Sequence, residues 1–390
     1  MSDRMHICMF GGSFLPRRGG MEFVIHHLSN ALIEEGHEVT VVAERTAWSG
    51  IGVEHGYDLV RYGIPIKGIR RFEISYTPEA LWTVLRKHRK KPFDIIHCHS
   101  VSYAGSRAAR IKRWLNIPLV MTPHGEDIQR VPEIGYGLRL DEDWNKRICA
   151  NLKQADAVTA ISLSVQQELD CVDQKKIVRI PNGVHIEGYG KRTSRYLRDR
   201  LGLSDDIIIV LSVGRNHVKK GYGYGIKSMA VLRDKYGIKN IHYVIVGKLV
   251  SEHASLVSQL SLDHMVTLLE ELNPSAVAEC YHSADVFFSP SIIEGLSLVS
   301  IEALACGLPL LVTDVPGNED VVRDTGAGIV VHSKDPEHMA HGLSELVNNI
   351  ERRDLLGKIA LNKSADYDWS VVARRYADLY RRVLFGRPLA

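Results

Sequence analysis

Two series of short β-rich runs, each alternating with helical patterns, restrict this chain to a narrow set of folds. The first series is HICMF (6–10), HEVTVVA (37–43), DIIHCHS (94–100), PLVMTPH (118–124), AVTAIS (157–162) and IVRIPN (177–182). Between its first two members lies EFVIHHLSNALIEEG, with Phe23, Leu28 and Leu32 at helical spacing and Gly36 at the end. A strand-helix-strand rhythm implies a parallel sheet covered by helices. Around GYGKRTSRYLRDR (188–200) the pattern breaks and then restarts with IIIVLSVG (207–214), IHYVIVG (241–247), MVTLL (265–269), VFFSPS (286–291), LPLLVT (308–313) and AGIVV (327–331). The expected fold class is therefore α/β, with two Rossmann-like, doubly wound parallel-sheet domains. At 390 residues the chain is long enough for two cores. The final segment, DWSVVARRYADLYRRVLF (368–385), reads as an amphipathic helix whose partner domain periodicity does not specify.

Composition narrows the function. A formal charge of +3 is small for this length and gives no electrostatic footprint for nucleic acid. No window approaches the ~18 apolar residues of a membrane span, and the apolar run in MSDRMHICMFGG is too short for a signal peptide. The six cysteines, Cys8, Cys98, Cys149, Cys171, Cys280 and Cys306, include no C-x-x-C and lie mostly in apolar runs. They are expected to be reduced core thiols in a cytoplasmic protein, with no zinc site. The basic end LRKHRKKP (85–92) reads as a solvated helix C-terminus, the alternative being peripheral contact with anionic lipid at the inner membrane face.

In open α/β sheets ligands bind beyond the carboxyl ends of the strands, and two such domains place a site in the cleft between them. The strand ends are therefore where chemistry is sought. GGSFLPRRGGME (11–22) follows the first strand, and Gly19 and Gly20 stand directly before a helix, where their amides could approach a phosphate; a plain loop is the other reading. The spacing is not G-x-G-x-x-G, so no dinucleotide site is signalled. In TPHGEDI, His124 ends a strand and could bond a sugar hydroxyl or transfer a proton, although a lone histidine is more often structural. His97 and His99 read as core or supporting residues. Asp141 and Asp143 fit D-x-D, but acids before a helix are also expected on dipole grounds.

In the second half, VGRNHVKKGYGYG (213–225) sets Arg215 and Lys220 in a loop before a helix near Tyr222, a pair of cations suited to a diphosphate or simply a solvated basic loop. The stretch IIEGLSLVSIEALACGLP (292–309) places Glu294 and Gly295 in a loop. The amides of Leu296 and Ser297 are expected to open a helix. One turn from Glu302 on that helix lie Leu298, Val299, Ala305 and Cys306, so its carboxylate should be at least partly buried. Such a group needs either a protein partner or ligand hydroxyls. Three strand-end features thus agree on a diphosphate ligand.

GG-x-E after the first strand, TPHG, PNGV (181–184), GR-x4-KG (214–221), PS-x2-EG-x6-EA-x-ACG-x-P (290–309) and a tryptophan-led closing helix, in that order over nearly the whole chain, resemble the retaining GT-B glycosyltransferases of family four. The resemblance implies domains at 1–187 for the acceptor and 188–368 for a nucleotide-sugar donor, with 369–390 crossing back to the first. It implies that Arg215 and Lys220 hold the diphosphate, Glu294 contacts sugar hydroxyls, Glu302 accepts from ribose hydroxyls, His124 faces the sugar, and Gly20 lies beside the donor phosphates. It also implies no metal; no cofactor is expected, and the small net charge argues against a nucleic-acid partner. Leu296 and Ser297 stand where the family often has an aromatic residue and a second glycine, which points to altered sugar selectivity. His185 follows PNGV in place of the common Asp, and Glu270-Glu271-Leu272 stands where a glycine is usual. The expected activity is transfer of a sugar, from a UDP-sugar, to a glycan, lipid-linked or metabolite hydroxyl. A nucleotide-sugar 2-epimerase of the same fold and a non-catalytic sugar-nucleotide-binding subunit are the competing readings.

Overall fold

The structure is a computed structural model describing residues 4–16, 19–45, 55–63, 77–190 and 193–389. It divides into two compact units, 1–183 with 369–390 and 184–368. The first contains a seven-stranded sheet in the order β3-β2-β1-β4-β5-β6-β7, formed by β1 (His6–Gly11), β2 (Glu38–Glu44), β3 (Asp58–Tyr62), β4 (Ile95–His99), β5 (Leu119–Thr122), β6 (Ala157–Ala160) and β7 (Ile177–Arg179). The second contains six strands in the order β10-β9-β8-β11-β12-β13: β8 (Ile208–Val213), β9 (Ile241–Val246), β10 (Val266–Leu269), β11 (Val286–Ser289), β12 (Leu310–Thr313) and β13 (Gly328–Val331). Every strand pair is parallel. Helices on both faces explain why the central strands are near-continuous apolar runs rather than alternating ones. β4, for example, is buried along its whole length.

All twelve strands expected from the sequence are present, and β3 is an addition. Its sequence DLVRY carries only one fully buried side chain, Tyr62, so it shows no apolar run to read. In both sheets the strand order reverses beside the first strand, between β1 and β4 and between β8 and β11. These switch points open crevices at the carboxyl edge, because the two flanking loops leave in opposite directions.

The closing helix Trp369–Leu384 belongs to the first unit. It lies along the first helix, Gly20–Glu34: Trp369 stacks near His27, and Arg374 pairs with Glu35 at 2.9 Å. Its buried Tyr380 hydroxyl meets His97 Nδ1 at 2.7 Å.

The cysteine expectation needs correcting. Cys149 and Cys171 are joined as a disulfide, with Cα atoms 5.7 Å apart and a sequence separation of 22. The helix Glu142–Lys153 and the loop after Gln167 bring them together, a proximity that sequence spacing does not report. The remaining four cysteines are buried and free. The helix Thr77–Lys90 has the expected basic last turn; Lys87 pairs with Asp58 at 2.6 Å, and Lys91 just beyond pairs with Glu38. Among the described residues no helix is long and apolar enough to cross a membrane.

Candidate functional site

In the second unit the loops after β8 and β11 meet across the switch point. Lys220 ends a short helical turn, Val218–Lys220, and Gly221 follows in the left-handed region at φ 64° before the helix Tyr222–Tyr236. A side chain on Gly221 would collide with the Pro290 carbonyl, so glycine is what lets the two loops touch. They are tied by the Ile292 N–H, which donates to the Lys219 carbonyl at 2.6 Å. Gly317 does the same on the other side. Its φ is 75°, and a Cβ there would strike the Glu294 carbonyl.

This framework fixes Glu294. Its backbone N–H donates to the Pro316 carbonyl, and its carboxylate accepts from Lys220 Nζ at 2.6 Å and from Ser291 Oγ at 3.0 Å. Burial works against ionising Glu294, which is only 6% exposed. The charges of Lys220 and Lys219 and these hydrogen bonds outweigh it and hold the carboxyl below its usual range. Lys220 and Glu294 therefore satisfy each other. Arg215 is exposed and, among the described residues, makes no hydrogen bond or ion pair, so its guanidinium is available to an anion.

The helix expected near Leu296 begins later, spanning Leu298–Ala305 with Ser297 as its N-cap. The Ser297 N–H donates to the Gly317 carbonyl at 3.2 Å. Leu296 and Gly295 are both buried in the loop before it. Glu302 is partly buried, and protein partners meet its carboxylate: the Tyr281 hydroxyl donates to it at 2.7 Å, and Tyr189 hydrogen-bonds it as well. Burial pushes this carboxyl up to about 6 in spite of both tyrosines and the Lys220 charge. No motif flags Tyr189 or Tyr281, since their link to Glu302 is made by tertiary packing. Glu270, in the stretch that departs from the family pattern, ties the loop after β10 to the turn after β9 by accepting from the Leu249 and Ser251 amides at 2.9 and 3.0 Å.

In the first unit the helix Gly20–Glu34 starts after β1, with Gly19 as N-cap. The expectation of an open phosphate seat there is modified, because the buried Glu22 carboxylate turns back against Gly19 and accepts from Ser13 Oγ at 2.5 Å. An anion at this helix end would meet a like charge. His124 follows β5. Its backbone N–H and that of Gly125 donate to Asp127 Oδ1 at 3.0 and 3.2 Å, while Asp127 Oδ2 accepts from the Val101 amide. The ring Nε2 of His124 lies 2.9 Å from Nδ1 of His99. Burial lowers His124 to about 4, with Asp127 opposing, so the imidazole is neutral near pH 7. His97 is bonded on both sides, to Thr122 and Tyr380. Asp141 is the N-cap of Glu142–Lys153, its side chain accepting from the Trp144 N–H, which suits the reading of these acids as belonging to a helix start.

Comparison with known proteins agrees with this two-sheet fold. Residues 194–363 match the family described as glycosyl transferases group 1, and residues 18–187 match glycosyltransferase family 4. A D-inositol 3-phosphate glycosyltransferase of Paenarthrobacter aurescens is 25% identical over 94% of this chain and 94% of its own. Among solved structures, sucrose-phosphate synthase of Thermosynechococcus elongatus superposes with a TM-score of 0.80 at 22% identity, covering 98% of this chain and all of the other (100%). HepE of Anabaena, solved in complex with UDP, gives 0.79 at 18% identity, covering 96% of this chain and 99% of the other.

Proposed function

The chain belongs to the group 1 glycosyltransferases of GT-B type, and on that premise we propose that it transfers a sugar from a UDP-sugar to an acceptor hydroxyl with retention of anomeric configuration and without a metal ion. The observation that carries this reading is the ion pair of part-buried Lys220 with buried Glu294 at the switch point of the second unit, with the unengaged Arg215 in the same loop as Lys220. A pair that is self-satisfied without ligand can be redistributed when one arrives. The ammonium turns to a diphosphate oxygen, and the released carboxylate takes hydrogen bonds from sugar hydroxyls, so no buried charge is stranded. Arg215 adds a second, forked contact to the diphosphate. That HepE was solved with UDP supports uridine as the base.

The residue types suit the chemistry. Cleavage of the bond between the anomeric carbon and the β-phosphate oxygen leaves an oxocarbenium-like sugar and a diphosphate gaining charge. The two cations, Lys220 and Arg215, therefore stabilise the transition state more than the ground state. With attack on the same face, the acceptor oxygen bonds the anomeric carbon while its proton passes to a leaving phosphate oxygen. Glu302 is the proposed acceptor for ribose hydroxyls, which would share its carboxylate with Tyr189 and Tyr281. His124 is the proposed hydrogen-bonding partner of a sugar hydroxyl. The cradle at Leu296 and Ser297 is the proposed determinant of which sugar is taken.

The test is a thermal-shift panel of UDP-, GDP- and ADP-sugars, since a ligand that binds the native state raises Tm by mass action. The best donor is then incubated in EDTA with D-inositol 3-phosphate as the first acceptor, and the product's anomeric configuration is read by NMR. Stabilisation by UDP-sugars and a product of unchanged configuration are expected. An inverted product would remove the same-face mechanism, and interconversion of the donor without transfer would favour the epimerase reading.

A further inference from the structure

His124 is one end of a hydrogen-bonded line that runs into the core of the first unit. Its Nε2 lies 2.9 Å from His99 Nδ1, and His99 Nε2 lies 3.0 Å from the sulfur of Met9. Met9 sits in the middle of β1, and His99 is the last residue of β4, the two strands that flank the switch point. Both side chains have no exposed surface, so neither ring nitrogen of His99 has bulk water as an alternative partner.

The chemistry of the far end sets the direction of the whole line. A thioether sulfur has lone pairs and no proton, so it can only accept. Were His99 Nε2 unprotonated, two lone pairs would face each other at 3.0 Å in a site without water. Its proton therefore belongs on Nε2, pointing at Met9. His99 is fully buried, and burial together with the neighbouring His97 and His124 rings drives it well below its ordinary value, so it carries one proton and not two. Its Nδ1 is then a bare acceptor, which obliges His124 Nε2 to be the donor between them. His124, itself neutral, has no second proton for Nδ1.

We propose that Met9 and His99 act as positioning residues that hold His124 in the tautomer protonated at Nε2, so that its Nδ1 meets substrate as a hydrogen-bond acceptor and not as a donor. This deepens, and rests on, the reading of His124 as a partner of a sugar hydroxyl. It changes what that partner requires: the substrate must present O–H to the ring. A deoxyfluoro analogue at the contacted position, whose fluorine has no proton to give, should then lose as much binding affinity as the plain deoxy analogue. A donating histidine would instead retain part of the contact to fluorine.

The test is ring-nitrogen NMR of the full chain labelled with 15N-histidine. The chain holds 18 histidines, so the signals of His99 and His124 are assigned from His99→Gln and His124→Gln spectra. In the wild-type protein at neutral pH, both rings should show a protonated Nε2 and an unprotonated Nδ1. A protonated Nδ1 on His124 would overturn the proposal. Met9→Leu keeps an apolar side chain of similar volume and removes the acceptor, so His124 should shift to a mixture of tautomers. An unchanged single tautomer in that variant would show that Met9 does not set it. Should Met9→Leu not fold, the wild-type spectrum still decides the tautomer. Normal transfer by His124→Gln alongside the expected spectra would count against the functional role of His124 and leave the tautomer assignment standing.

Discussion

Replacing Lys220 with methionine isolates the interaction on which the second unit's switch point depends. Lys220→Met preserves most of the stem volume and leaves the buried Glu294 carboxylate facing Ser291 and no longer bonded to a cation at 2.6 Å. Breaking a buried pair from one side costs up to about 3–5 kcal/mol, because the surviving charge loses its bonded cation and keeps only the weaker compensation of Lys219. Glu294 has an escape, which is to take up a proton. At roughly 1.36 kcal/mol per pH unit above a carboxyl reference near 4.3, protonation caps the loss at about 3–4 kcal/mol at pH 7 and about 1.5 kcal/mol at pH 5.5. All five tryptophans lie outside residues 184–368, so their fluorescence does not report on this unit. Amide hydrogen exchange on peptides covering β8 and β11 does. Exchange limited by opening of the unit should accelerate on the order of 10²–10³-fold at pH 7 and about 10- to 20-fold at pH 5.5. The double variant Lys220→Met with Glu294→Gln should recover most of the protection, since no charge is left behind. An acceleration below about threefold at pH 7, or one that does not change with pH, would refute the premise that the pair is held at a cost.

Glu302 gives an opposite sign. Its carboxyl is raised to about 6, so the native state favours the proton: this stabilisation is complete below the unfolded value and is lost as pH rises through about 6. Glu302→Gln should therefore gain about 2 kcal/mol over wild type between pH 4.5 and 7.5 in melting experiments, while wild-type affinity for UDP should fall as the pH drops below about 6. Gly221→Ala places a methyl group against the Pro290 carbonyl at positive φ and should destabilise by about 2 kcal/mol or more, seen as a lower Tm with weakened UDP binding. Tyr380→Phe leaves buried His97 Nδ1 without its partner and should cost about 1–3 kcal/mol in urea unfolding followed by tryptophan fluorescence, a probe confined to the first unit.

Strands and strand-end residues were legible because in a buried parallel sheet each strand is itself an apolar run, and the loop after it follows directly in sequence. That is how Lys220, Arg215, Glu294 and His124 could be picked out one by one. What sequence could not supply was who meets whom. Lys220 and Glu294 stand 74 residues apart yet form one ion pair, and Glu302 is met by tyrosines from two other helices. Glu22 turning back on Gly19 depends on a rotamer. β3 escaped because an edge strand with a single buried side chain has no periodic signal. The Cys149 and Cys171 pairing is a fact of tertiary proximity alone.

The most direct test of the donor assignment is calorimetric titration of UDP, and separately of uridine, into wild type and Arg215→Gln. Arg215 is exposed and unengaged, so its replacement should leave the fold intact. A charge-assisted contact to the diphosphate is worth about 1.5–3 kcal/mol, so UDP should bind the variant about 10- to 150-fold more weakly while uridine binds both proteins alike. UDP binding that is absent from the wild type, or equally tight in the variant, would contradict the assignment.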